Sequence, residues 1–183
     1  MSGRLRRVLR RPFLQRGNPS SVPIHIVLYE PEIPQNTGNI ARSCAATGAI
    51  LHLVGPLGFS ISDRYLKRAG LDYWPLVEVI CHEGWEAYMR DYPDAVRFYA
   101  TTKASVPYHE PTYPDECHLV FGPESRGLPE SLLHIADGIR IRIPMRPAIR
   151  SLNLSNSVAV ILFEALRQQG FSGLAHTGVL PEP

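Results

Sequence analysis

Three small turns carry most of the chemistry that this sequence could do: Ala100 to Lys103, Gly122 to Pro129, and Ile143 to Leu154. Each follows a short apolar run with strand character. Glycine in such a turn lets a ligand approach the backbone, whose N–H and C=O groups can read an adenine edge or a ribose without charged side chains. A pocket of that kind suits a nucleoside better than a phosphate. Any one of these stretches, taken singly, reads as a tight turn. Three of them, each after a strand, point instead to a ligand cradle.

A second constellation is Asn36-Thr-Gly-Asn-Ile-Ala-Arg42. On a helix capped at Asn36 or Thr37, positions 39 and 42 share a face, so Asn39 and Arg42 stand side by side near the N-terminal end. That end favours anions, through its unpaired N–H groups and the helix dipole. A phosphate or ribose could sit there, and a capped helix with a solvated arginine is the plainer alternative.

Several familiar chemistries are missing. There is no G-x-G-x-x-G after the first strand, no G-x-x-x-x-G-K-[ST] and no G-x-S-x-G. The seven histidines show no metal-ligand spacing, and the Cys81-His82 and Cys117-His118 neighbours read as coincidences at strand ends. No metal is expected. Cys44, Cys81 and Cys117 are widely spaced and odd in number, so a disulfide framework is not indicated and a reducing cytoplasm fits.

The elements that must position these residues alternate. Strands are expected at Ile24 to Tyr29, Ile50 to Val54, Leu76 to Cys81, Val96 to Thr101, from Cys117 to Phe121, and at Ile139 to Ile143. Helices are expected from about Asn36 to Gly48, Ser62 to Arg68, Gly84 to Tyr92, Pro129 to Ala136 and Ser155 to Gln169, with a proline-rich loop over 104–116. This is the pattern of an α/β fold with a mostly parallel sheet flanked by helices. In such a sheet, ligands bind beyond the carboxyl ends of the strands.

With 183 residues the chain suits one domain, over 23–170, between a leader and a tail at 171–183 expected to be flexible. No apolar run approaches membrane-spanning length. Arg4, Arg6, Arg7, Arg10, Arg11 and Arg16 precede the first acid, Glu30, and taking these six from the net charge of +2 leaves the body at −4. Any RNA contact must therefore be a local patch. The leader, 1–22, reads as disordered ahead of an RNA-binding arm or a transit peptide.

Five stretches, in order, closely resemble the motifs of the SPOUT-class RNA 2'-O-methyltransferases, in particular the type acting on nucleotide 34 of tRNA. They are residues 26–42, Arg68-Ala-Gly-Leu-Asp-Tyr-Trp74, Phe121-Gly-Pro-Glu-Ser-Arg-Gly-Leu-Pro129, Ile141-Arg-Ile-Pro-Met145 and Ser151-Leu-Asn-Leu-Ser-Asn156. The similarity covers about residues 24 to 170. It implies transfer of a methyl group from S-adenosyl-L-methionine to the ribose 2'-hydroxyl of C34 or U34 in the tRNA anticodon loop, a homodimer, and a C-terminal trefoil knot that connection rules alone do not predict.

Carried over by position, the resemblance places Ala100, Thr102, Gly122, Glu124, Gly127, Ile143, Met145, Ser151 and Leu152 at the cofactor. It places Arg42 near the reacting ribose, with Asn36 and Asn39 beside it and Asn153, Ser155 and Asn156 facing from the last helix. Phe163 departs from the pattern, since close relatives carry Tyr there. Tyr73 and Trp74 are candidates for stacking on an unpaired base, or for packing on the core. The alternatives are an enzyme of the same class acting on ribosomal RNA, a non-catalytic RNA-binding protein of this fold, and an ordinary α/β nucleotide-binding protein.

Overall fold

The structure, a computed structural model, describes residues 23–60, 73–135 and 137–179. The basic leader, the helix expected from Ser62 to Arg68, most of the 68–74 stretch and the last four residues lie outside that range. Within it the chain runs β1 (His25–Tyr29), α1 (Pro34–Thr47), β2 (Ile50–Val54), β3 (Val79–His82), α2 (Trp85–Asp91), β4 (Arg97–Ala100), β5 (Val106–Pro107), β6 (His118–Phe121), α3 (Glu130–Ile135), β7 (Ile139–Arg142) and α4 (Leu154–Gln168).

Seven strands form one sheet in the order β3-β2-β1-β6-β4-β7-β5, and every pairing is parallel. Both faces are covered, as a parallel sheet requires. In β1, Ile26 and Leu28 face one core with α1 and α4, where Ile40, Cys44, Ile161 and Leu162 are buried. Val27 faces the other, smaller core with Tyr88 of α2 and Leu132 and Leu133 of α3. Each fully buried aliphatic side chain contributes roughly 1.5–3 kcal/mol by leaving water. Strand order reverses between β1 and β6, because β2 and β3 extend the sheet one way and β6, β4 and β7 the other. Crevices at such switch points are where α/β sheets bind ligands.

Three elements differ from expectation. The first helix starts at Pro34, not at Asn36 or Thr37. Pro34 forces Ile33 into extended backbone, with φ −108 and ψ 110, yet is itself well suited to the first helical turn, where its missing N–H costs nothing. Asn36 is thereby drawn inside the helix and freed from capping. At the other end Gly48 stops the helix with φ 77, its N–H donating to Cys44 O at 2.8 Å.

The second difference is that the strand expected at Leu76 to Cys81 splits into a 3-10 turn, Trp74–Leu76, followed by β3. Pro75 sits in the first positions of that turn and lacks the N–H a ladder needs. Third, the 104–116 loop contributes the two-residue β5 at the sheet edge, where a proline is tolerated. The packed chain continues past α4, since Phe171 and Leu174 lie against the larger core and the Phe171 N–H donates to Leu166 O at 2.8 Å.

Polar residues line the α2 face of the sheet. His25, His118 and Arg97 stand in register at its amino edge on β1, β6 and β4, and His52 and His82 step diagonally from them toward the carboxyl end on β2 and β3. Burial holds three of these histidines far below the usual imidazole range, His25 to about 4, His118 to about 3 and His52 to about 2.

Candidate active site

The three turns singled out in the sequence end adjacent strands. Ala100, the last residue of β4, is in register with Phe121 of β6 on one side and Ile141 of β7 on the other. The Thr101 N–H continues the ladder to Ile141 O at 2.9 Å. Thr102, Gly122 and Ile143 therefore emerge side by side from one edge of the sheet, next to the switch point. Ile143 and Met145 are half-buried, while Thr102, Ser151 and Leu152 are exposed.

The loop after β6 is closed tightly on itself. A methyl group on Gly122 would lie 2.2 Å from Leu128 N and 2.3 Å from Gly127 C, so no side chain fits at 122. Gly127 makes the return with φ +68 and donates its N–H to Pro123 O at 2.9 Å. The two glycines serve different ends, contact at 122 and backbone conformation at 127.

Several charged side chains near the cradle have protein partners, while Arg146 and Arg150 of the third turn are exposed. Lys103 pairs with Glu130 at 2.5 Å, and Arg126 pairs with Glu30 at 2.5 Å and Glu32 at 3.3 Å. The Glu124 carboxylate accepts from Glu32 N at 2.9 Å, Ile33 N at 3.3 Å and Asn36 Nδ2 at 2.9 Å. It thus caps the first turn of α1 from another loop, where the helix dipole favours a negative charge. Glu32 returns the contact, accepting from Ser125 N at 3.0 Å and Ser125 Oγ at 2.8 Å. Apart from Arg146 and Arg150, what the three turns present is backbone, small residues and the apolar Ile143, Met145 and Leu152. That surface fits an uncharged nucleoside and the aliphatic part of a ligand.

Asn36, 6% exposed, joins the cradle to the last helix. Its Oδ1 accepts from Asn153 Nδ2 at 3.0 Å while its Nδ2 donates to Glu124. Asn153 caps α4, its Oδ1 accepting from Ser155 N at 2.9 Å, Ser155 Oγ at 2.7 Å and Asn156 N at 3.4 Å. Asn36, Glu124, Asn153 and Ser155 therefore form one hydrogen-bonded chain across three separate segments.

Arg42 does not join it. The residue is exposed, shares that face with Asn39, and lies six residues beyond Asn36, about 9 Å along the helix and roughly 120° around it. Its guanidinium stacks over the Tyr73 ring, 4.6 Å from the centroid. That contact occupies the ring face offered above for base stacking, and Trp74 is half-buried against the larger core. Sequence reasoning missed Glu32, Ser125 and Arg126, whose hydrogen bonds lock the loop to the start of α1. The one available signal was their place inside the 26–42 and 121–129 motifs.

Comparison with known proteins agrees with this architecture. Residues 23–163 match the model of the SpoU rRNA Methylase family. The tRNA (cytidine(34)-2'-O)-methyltransferase of Methylovorus glucosotrophus is 52% identical over 149 residues, covering 81% of this chain and 97% of that protein. A solved structure described as "Structural insights into the 2-OH methylation of C/U34 on tRNA" superimposes with a TM-score of 0.77 at 46% identity, covering 80% of this chain and 96% of that one. The AdoMet-bound rRNA methyltransferase from Sinorhizobium meliloti gives a TM-score of 0.74 at 27% identity, covering 81% of this chain and 57% of that one. With most of its length matched, the chain belongs to the SpoU rRNA Methylase family.

Proposed function

We propose that this protein methylates the ribose 2'-hydroxyl of nucleotide 34, C34 or U34, in the anticodon loop of tRNA, using S-adenosyl-L-methionine. The observation that supports it most is the convergence of the turns after β4, β6 and β7 on one edge, beside a switch point, with Lys103, Arg126 and Glu124 paired within the protein. The tRNA substrate follows the relative at 52% identity, and the rRNA enzyme is more distant at 27%.

S-adenosylmethionine, when bound, supplies a methyl group on a positively charged sulfur. The residues that would hold it are Ala100, Thr102, Gly122, Gly127, Ile143, Met145, Ser151 and Leu152, through backbone groups and apolar contact. Glu124 acts at one remove, fastening the 122–127 loop to α1. Alignment is the main demand of such a displacement, and positioning can supply up to about 7–11 kcal/mol of a barrier. Arg42 holds a substrate phosphate and eases the charge that develops on the attacking oxygen; a guanidinium stays protonated and is not the base. Asn36, Asn153 and Ser155 fix the start of α1 against the start of α4, so that the arginine's helix keeps its place relative to the cradle.

The same reading includes a methyltransferase domain over 23–170 between the basic leader and the tail, a C-terminal trefoil knot, a homodimer and a cytoplasmic location. Ile149, Leu152, Val160 and Phe163 are exposed apolar residues on α4 and the segment before it, which supports a dimer face there. Among the described residues no helix is long and apolar enough to cross a membrane. The test is incubation of the purified protein with S-adenosylmethionine and unmodified tRNA, followed by nucleoside mapping by mass spectrometry. One ribose methyl on nucleotide 34 is expected; a methyl at another nucleotide, or none, refutes the assignment.

A further inference from the structure

The amino edge of the sheet, opposite the cradle, holds a constellation that methyl transfer does not use. His25, His52 and His118 are 5%, 0% and 1% exposed, and one ring nitrogen from each lies within 4.8 Å of the others. His25 and His52 are 27 residues apart in sequence, so no local spacing announces the group. We propose that these three histidines bind one divalent transition-metal ion of the zinc type, through His25 Nδ1, His52 Nε2 and His118 Nε2, with water from the neighbouring cavity as fourth ligand.

The outward nitrogens of His52 and His118 have partners within hydrogen-bond distance able to accept a proton, as ligating imidazoles require, and that of His25 faces a carboxylate. His118 Nδ1 lies 2.8 Å from the Tyr88 hydroxyl. His52 Nδ1 lies 3.0 Å from His82 Nε2, and His82 Nδ1 in turn lies 3.4 Å from the Asp91 carboxylate. His25 Nε2 faces the Glu116 carboxylate at 3.8 Å. In the metal-bound form these contacts let every outward nitrogen carry a proton and every inward one a lone pair. The arrangement is a three-imidazole ligand set of the kind zinc favours.

Charge and access also fit. Arg97 is the one cation packed into this region among the described residues; its Nη1 and Nη2 donate to the carbonyl oxygens of Ala95 and Tyr92, and its Nε is buried without a hydrogen-bond partner. Asp91, Asp94 and Glu116 surround the site with more negative charge than Arg97 offsets. A cavity of about 440 Å³, lined by Tyr92, Asp94, Glu116 and His118 among others, gives an ion a way in.

Binding requires a defined rearrangement. His25 Nδ1 and His52 Nε2 lie 2.7 Å apart, so in the metal-free protein one of them carries the hydrogen between them; the ion takes its place, that ring changes to its other tautomer with the proton on its outward nitrogen, and no net proton is released. Zinc–nitrogen distances of about 2.0–2.1 Å set tetrahedral ligands roughly 3.3 Å apart, so this pair must spread. The rings of His25 and His118 are stacked at 4.1 Å and within 5° of parallel, and parallel rings cannot both aim at one ion. His118 borders the cavity, so it is the ring that must turn, and the Tyr88 hydroxyl must follow it to keep the contact to Nδ1.

The probe is Co²⁺ titrated into the full-length, untagged, chelator-treated protein, read by visible absorption, with Zn²⁺ as competitor. The expected result is one equivalent per chain with the intense bands of four-coordinate cobalt, displaced by Zn²⁺. A variant carrying His109→Gln, His134→Gln and His176→Gln, all exposed positions, is expected to bind as the parent does. Glu116→Gln, at a 60% exposed side chain, leaves the fold intact and is expected to weaken binding about tenfold. Absence of four-coordinate bands at one equivalent overturns the proposal, and so does loss of binding in the surface triple variant.

Discussion

Asn36 Nδ2 donates to Glu124 Oε1 at 2.9 Å, joining two segments 88 residues apart in the chain. That bond ties the loop after β6 to the helix bearing Arg42. Glu124→Gln keeps the volume but loses one of the oxygens that serve three N–H donors. It is expected to cost about 1.5–3 kcal/mol in chemical denaturation. S-adenosylmethionine affinity, read by calorimetry, should fall together with stability, because the 122–127 loop loses its fastening. Unchanged affinity would show that the loop holds itself.

The two loop glycines separate sterics from backbone preference. Gly122→Ala places a methyl 2.2 Å from a backbone nitrogen, so it is expected to cost more than about 3 kcal/mol and to abolish S-adenosylmethionine binding. Gly127→Ala meets nothing within 4 Å and pays only for its φ of +68, roughly 1–2 kcal/mol. Paired denaturation curves check the order, which a simple count of conserved-looking glycines would not predict.

Arg42→Ala should lower kcat by roughly 10²–10³-fold while leaving S-adenosylmethionine affinity nearly unchanged. Arg42→Lys should recover little, since an ammonium neither forks around a phosphate nor stacks as a guanidinium does. Tyr73→Ala removes the ring that Arg42 rests on and is expected to reduce kcat/KM several-fold with no effect on stability beyond about 1 kcal/mol. Single-turnover methylation with each variant measures these effects. Equal loss of cofactor affinity in Arg42→Ala would contradict the assignment.

Burial pushes the Cys44 and Cys117 thiols up to about 12. Alkylation needs the thiolate, so reactivity at these two appears only as pH approaches 12 or the chain unfolds. In native protein at pH 8, mass spectrometry after iodoacetamide treatment should find label on Cys81 alone.

Much of the fold was legible because its signals are local. Alternating apolar runs marked β1, β2, β4 and β6, Gly48 marked the end of α1, and the apolar runs before the three turns set each of them at the end of a strand. The start of α1 lies two residues before the expected Asn36, because the restriction that Pro34 imposes falls on Ile33 and leaves Pro34 itself free to open the helix. What could not be read was contact between distant segments. The bond from Asn36 to Glu124, the stacking of Arg42 on Tyr73, and the buried histidines on β1, β2 and β6 arise from the strand order, and no periodicity encodes that order. The parity of the strands does put His25, His52 and His118 on one face, but only once their register is known.

A crystal structure of the protein with S-adenosylhomocysteine tests the central claim most directly. The account predicts the nucleoside and its sulfur lodged among residues 100–102, 122–127 and 143–152, with Glu124 still bonded to the first turn of α1. A ligand seated in any other cleft, or those three turns drawn apart around it, would contradict it.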